Sequence, residues 1–269
     1  MQWRGLISGA IAGWIGGIAG GVVASASDSA ADDGFGIKLG GIVAVAPVYE
    51  GSTRYRLLGA PFLAPSFGAS GRSFVDVRGP DDVRFRLFEH AGFEAGPLAG
   101  WRFGRDQTDD PLLRGLGDVE GGVVAGAFAA YRIGVLKPFV SYHHQLSGSE
   151  TGGALRFGSE AIWQIGSTAE IVGLAGTTWA DDDYMSSYFS ITPLQAAASA
   201  TGLPRYTAGA GIKDVYLGVS ANVPLTDKWT LSMSSRYSHL VGDAAGSPLV
   251  ETEHQWTGGL TLSYRLGFR

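Results

Sequence analysis

The sequence predicts an all-β fold: a transmembrane antiparallel up-and-down β-barrel of about twelve strands, preceded by a cleavable signal peptide. Three observations carry that prediction. Apolar and polar residues alternate with period two in segment after segment from residue 36 to the C-terminus. The gaps between these segments are long and short in turn. Charged residues make up only 17% of the chain, against about 25% in ordinary soluble domains, yet no apolar run after residue 30 reaches the ~20 residues of a spanning helix.

Composition sets the bounds. A chain of 269 residues holds one large domain or two small ones. Its 42 glycines are roughly twice the average usage of about 7% and keep no strict period, which excludes collagen. A net charge of −5 gives no basic footprint, so nucleic acid is not an expected partner. With no cysteine, disulfides, thiolate metal sites and cysteine nucleophiles are excluded.

At the N-terminus, Arg4 precedes an uncharged stretch rich in Gly, Ala, Ile and Val that runs to Val23, and Ala24-Ser25-Ala26 fits a small-x-small cleavage site. Residues 1–26 therefore read as a signal peptide, with a retained membrane helix as the alternative, residues 27–35 as a flexible start, and 36–269 as the barrel. The strand segments are 36–46, 56–67, 71–79, 82–90, 92–104, 119–133, 136–147, 152–166, 168–180, 206–225, 228–242 and 252–268. Pro61, Pro65, Pro97 and Pro138 weaken a central-strand reading where they occur.

With both termini in the periplasm, the outer gaps are 47–55, 80–81, 105–118, 148–151, 181–205 and 243–251, and the inner ones 68–70, 91, 134–135, 167 and 226–227. Every long gap falls outside, as in bacterial outer-membrane barrels. Aromatics sort the same way. Tyr131, Trp163, Trp229, Tyr264 and Phe268 fall near the periplasmic rim, and Trp101, Trp179, Tyr237 and Trp256 near the outer one.

In the last segment Trp256, Leu260, Leu262, Tyr264, Leu266 and Phe268 form one face, opposite Thr257, Thr261, Ser263 and Arg265. Hydrocarbon cannot satisfy backbone N–H and C=O groups, so a sheet in lipid closes on itself and turns its apolar face outward. The lumen should then receive Arg72, Asp76, Arg78, Arg84, Arg86, Glu94, Arg102, Arg132, Lys137, Arg156, Glu160, Glu170, Arg236 and Arg265. These charges either pair with one another and plug a narrow barrel, or line a selective pore. A soluble sandwich or lipocalin-like barrel would instead pack the apolar faces inward and carry many Lys and Glu outside. This chain has only 20 Lys and Arg in all.

Several segments resemble a known family. They are PVYEGS (47–52), GRD (104–106) with LRGLGDV (113–119), YFSITPLQAAASATGLPRYTAGAGIKDV (188–215), LVGDAAGSPLV (240–250) and the closing YRLGF. Their order and spacing resemble the MipA/OmpV family of outer-membrane proteins over roughly 36–268, with Gly246 standing where an acidic residue is expected. The resemblance implies a Gram-negative outer-membrane location among lipid and lipopolysaccharide. It also implies a non-enzymatic role, as a scaffold between a lytic transglycosylase and a murein synthase. The alternative is a narrow channel for a small solute.

The chemistry candidates are few, and no catalytic, cofactor or metal residue is expected among them. His143 and His144 are adjacent on a strand, so they point oppositely, His143 to the lumen and His144 to lipid, and cannot share a metal. Ser141 shares a face with His143, and Ser147 lies beyond; the two-residue spacing does not poise Ser141 for attack, which disfavours a lipid hydrolase. Asp181-Asp182-Asp183 and Asp109-Asp110 are acidic loop clusters without calcium-loop spacing, best read as solvated, with divalent ions bridging lipopolysaccharide as the sharper reading. Gly115-Leu116-Gly117-Asp118 reads as tight turns rather than a phosphate loop. The run LQAAASA (194–200) is expected to form a short helix over the mouth.

Overall fold

The computed structural model describes residues 36–66, 75–149, 151–166 and 169–267. The expected signal peptide 1–26, the segment 27–35, Arg72 and Phe268 lie outside them. The strands are β1 (Gly36–Pro47), β2 (Tyr55–Ser66), β3 (Val75–Gly79), β4 (Asp82–Phe85), β5 (Phe88–His90), β6 (Phe93–Arg102), β7 (Gly122–Tyr131), β8 (Leu136–Gln145), β9 (Gly153–Ile165), β10 (Ala169–Ala180), β11 (Gly211–Pro224), β12 (Trp229–Leu240) and β13 (His254–Gly267). Three short helices, α1 (Asp182–Phe189), α2 (Pro193–Ala198) and α3 (Gly242–Ala245), lie in the long loops.

All ladders are antiparallel, and the hydrogen-bonded order is β2-β1-β13-β12-β11-β10-β9-β8-β7-β6-β4-β3, with β5 also on β6. The last strand pairs with the first, Leu39 opposite Tyr264 and Val43 opposite Leu260. The two ends of this path, β2 and β3, come within 8 Å of each other between Cα atoms. This is the up-and-down barrel the alternation predicts.

The facing of side chains follows the period. Leu217, Val219, Leu260 and Leu262 on the outer wall are 62%, 52%, 52% and 42% exposed, while their strand neighbours Ser220 and Thr261 are buried at 3% and 1%. Apolar groups are therefore outside and polar groups inside, the reverse of a domain that folds in water. At the short-turn rim Tyr131, Trp163 and Trp229 are exposed; at the other, Trp101 and Trp256 are. There Tyr237 packs against Trp256, with ring centroids 5.0 Å apart.

One predicted strand is broken. Segment 82–90 is two pieces, β4 and β5, giving thirteen strands where about twelve were expected. β4 pairs Val83 with Ala99, but β5 pairs Phe88 with Ala95, so the register against β6 slips by one residue between them. The cause is legible in FRLFEH: Leu87 and Phe88 are adjacent and apolar, and the extra residue of a bulge lets both face outward, at 65% and 53% exposure.

The long loops build a cap over one end. Tyr184, Met185 and Phe189 of α1 pack with Ala208, Leu240 and Ala244, and a second cluster joins Val48, Tyr49, Leu113, Leu116, Ile191 and Leu249. Gly115 has φ +89, and a Cβ there would sit 2.0 Å from the carbonyl oxygen of Ala198, so loop 105–118 meets α2 at a point only glycine permits.

Candidate functional site

The interior is built from charges that reach across it. Arg78 on β3 pairs with Glu160 on β9 and, at 2.8 Å, with Asp76. Asp81, in the β3–β4 turn, holds Arg156 on β9 at 2.5 Å. Arg84 grips Asp82 through two bonds of 2.8 and 2.9 Å and stacks on the rings of Phe128 and Phe139. Lys137 meets Glu94 at 2.8 Å, and Arg86 meets the same carboxylate at 3.3 Å. Arg78–Glu160 and Asp81–Arg156 join β3 and its following turn to β9, five strands away in the sheet, so these two pairs brace the barrel across its bore, while the others tie neighbouring positions on its inner wall. A buried charge is costly unless it is paired and hydrogen-bonded in this manner.

Above the braces, under α1, is a cavity of about 70 Å³. Its walls are the loop-side ends of β1, β6, β11, β12 and β13, residues 103–105, and the rings of Tyr184 and Tyr188. Lys213 closes one side, bonded to Glu50 at 3.0 Å and Asp214 at 2.6 Å. Adjacent strand residues normally point oppositely, yet both are buried; the β10–β11 register shifts by one opposite Trp179, and the bulge turns Lys213 inward beside Asp214. Arg102 donates to Thr151 Oγ1, Gly152 O and His143 O, and lies 4.9 Å over the Tyr184 ring. Arg105 donates to Tyr188 O, while its Nε–H has no acceptor among the described residues. Burial lowers the Arg105 pKa from its ordinary value, with Tyr188 and Tyr49 opposing. Burial, with Glu50 adding to it, pushes the Tyr184 phenol well up.

The lower bore along β11–β13 differs. Ser220, Asn222, Ser234 and Thr261 each keep a buried side-chain oxygen without a partner among the described residues. Such oxygens need water.

The sequence candidates sort as follows. Ser141 and His143 do share the lumen face, where Ser141 Oγ lies 2.9 Å from His143 Nε2. Asp81 O sits 3.0 Å from His143 Nδ1, and both side chains are sealed, at 1% and 0% exposure. They belong to the brace. His144 faces out and stacks on Tyr142. Ser147 accepts from the Val123 N–H.

Each acidic cluster supplies one structural aspartate, while Asp182 and Asp183 remain exposed, as a solvated loop requires. Asp181 caps α1 by accepting from Tyr184 N–H and also receives Gly153 N–H, and Asp182 and Asp183 fill the first helical turn. Asp110 caps the short turn Pro111–Leu113 and pairs with Arg54 at 3.0 Å. Gly115 and Gly117 take positive φ, as tight turns require. The expected helix at 194–200 is α2, opened by a capping box of Thr192 and Gln195.

One expected lumen charge is corrected: Arg132 is exposed in the β7–β8 turn, whereas Arg265, on the same face of β13 as Thr261 and Ser263, is half-buried at the short-turn rim and donates to Asp227 O. Sequence reasoning missed Glu50, Asp81, Asp82, Lys213 and Asp214 as interior groups. The signal available was Lys213-Asp214 opening a strand, two adjacent charges that a plain alternation cannot place together.

Residues 39–266 match the family described as MltA-interacting protein MipA. The outer membrane protein OmpV of Vibrio cholerae serotype O1 is 27% identical over 203 residues, covering 74% of this chain and 76% of the relative. Omp26La of Vibrio anguillarum is 25% identical over the same shares. Among solved structures, the translocator domain of the autotransporter NalP from Neisseria meningitidis overlays with a TM-score of 0.41 at 10% identity, covering 89% of this chain and 91% of that one. The Salmonella typhi OmpF complex with daunomycin overlays at 0.35 and 11% identity, covering 77% and 56%.

Proposed function

The chain belongs to the family of MltA-interacting protein MipA, and from that membership we propose that this outer-membrane barrel is a closed, non-enzymatic attachment point for a lytic transglycosylase and, through it, a murein synthase. The observation that supports closure is the set of braces, above all Arg78–Glu160 and Asp81–Arg156, which span the bore beneath a packed cap. Paired charges across the axis take up the space that a wide conducting path would need. The periplasmic face must then do the binding. Its turns are short, but Ile133 and Val135 at the β7–β8 tip and Leu225 after β11 are 58%, 51% and 54% exposed. A stable interface needs about 800 Å² per partner, so these tips act together with the rim around them.

The test is capture from detergent-solubilised envelopes. The tagged barrel retains the transglycosylase, and Ile133→Asp with Val135→Asp cuts retention severalfold while leaving the barrel folded. Equal retention by that variant, or none by the native chain, overturns the reading. The partnerless oxygens of Ser220, Ser234 and Thr261 favour a second reading, a narrow water-filled path beside the braces. That reading requires stepwise conductance in a planar bilayer.

A further inference from the structure

We propose that the capped mouth cavity is a binding site for a small carboxylate, held between the guanidinium groups of Arg102 and Arg105. The cavity is lined by four cations, Arg102, Arg105, Arg156 and Lys213, against three carboxylates, Glu50, Asp81 and Asp214. The carboxylates are already committed: Asp81 to Arg156, and Glu50 and Asp214 to Lys213.

Arg102 and Arg105 are left over. They are only 6% and 4% exposed, and each acceptor they meet among the described residues is neutral, a threonine hydroxyl or a backbone carbonyl. The Arg105 Nε–H meets none among the described residues. The one carboxylate whose charge Arg102 feels, Asp81, is already bonded to Arg156, and Arg105 has none; two shielded cations with no carboxylate of their own, beside an open space, define a place where an anion is favoured. A guanidinium fork matches a carboxylate edge-on, through two parallel bonds.

Size and lining narrow the class. A single water needs about 10–15 Å³ of such space, so about 70 Å³ admits an anion of a few heavy atoms and is too small for sugars and nucleotides. Ala46, Pro47 and Leu240, with the Tyr184 and Tyr188 rings, offer apolar contact to a short tail. That favours a short-chain carboxylate over inorganic phosphate, which has no apolar part. The site stands independently of whatever binds the short-turn rim.

The experiment is calorimetric titration of the full-length barrel, folded in detergent, with butyrate. Butyramide serves as the neutral isostere and inorganic phosphate as the competing anion. Folding is checked by the mobility of the unboiled protein on gels. Butyrate is expected to bind one per chain and butyramide not to bind. Arg102→Gln and Arg105→Gln are each expected to weaken binding at least tenfold, Arg105→Lys less, and Arg54→Gln, on the outer rim, not at all. Arg102 also holds backbone carbonyls, so if Arg102→Gln does not fold, the two Arg105 variants carry the test. Absence of butyrate heat, equal binding of butyramide, or an unchanged affinity in Arg105→Gln overturns the site. Phosphate binding as tight as butyrate overturns the carboxylate assignment.

Discussion

In the cap, Phe189, Leu113 and Leu249 are wholly buried among other apolar side chains. Just beneath it, in the bore, His143, Glu160 and Arg84 are buried almost as completely, at 0%, 3% and 3% exposure. The same chain thus builds two interiors of opposite chemistry. The cap stands in water, so it hides hydrocarbon. The barrel wall stands in lipid, so hydrocarbon goes to the wall and the interior is left to polar groups. One rule, that surface should match its solvent, gives both. The difference in what holds them follows: dispersion and area above, matched charge and hydrogen bonds below.

That contrast is open to attack by substitution, beginning with the largest expected effect. Arg78→Met strips Glu160 of its partner inside the bore and is expected to cost about 3–5 kcal/mol in denaturant unfolding from vesicles. Asp76 loses the same partner, so the triple variant Arg78→Met, Glu160→Met, Asp76→Leu is expected to recover most of that loss, because no orphan charge remains. A triple variant as weak as the single one breaks the account of the braces.

Phe189→Ala in the cap is expected to cost about 3–5 kcal/mol locally. Here the loss is of area and packing, so it falls on the loops: protease nicking between α1 and α2 increases, while the heat-resistant gel mobility of the barrel is retained. Loss of the barrel itself in this variant shows the two interiors to be one unit. Smaller still, Asp181→Ala removes the α1 cap and the bond to Gly153 N–H, at about 0.5–2 kcal/mol, read as faster amide exchange in residues 182–189.

The wall was legible in the sequence because its rule is local. Val219 and Ser220 are neighbours, a strand turns them oppositely, and only one of them suits lipid. Loop and turn placement followed from the same reading. Pairing across the bore was not legible. Arg78 and Glu160 are 82 residues apart, and nothing in either neighbourhood names the other. The bulges were half legible: Leu87-Phe88 and Lys213-Asp214 each break the alternation, and each marks a register shift. Asp81 and Glu50 escaped because they lie between strands, where period two assigns no face. In Asp181-Asp182-Asp183 only the cap escaped, because an aspartate that caps a helix and two acids in its first turn look, as text, like any solvated acidic loop.

The most direct test of the inverted interior uses the absence of native cysteine. Single cysteines are placed at Leu217, Val219, Leu260 and Leu262, and at Ser220, Ser234 and Thr261, each carrying a small fluorophore in lipid vesicles with a quencher fixed to the acyl chains. The first four are expected to be strongly quenched and the last three little affected. Quenching at Ser220, Ser234 and Thr261 with protection at Leu217, Val219, Leu260 and Leu262 contradicts the lipid-facing wall and everything argued from it.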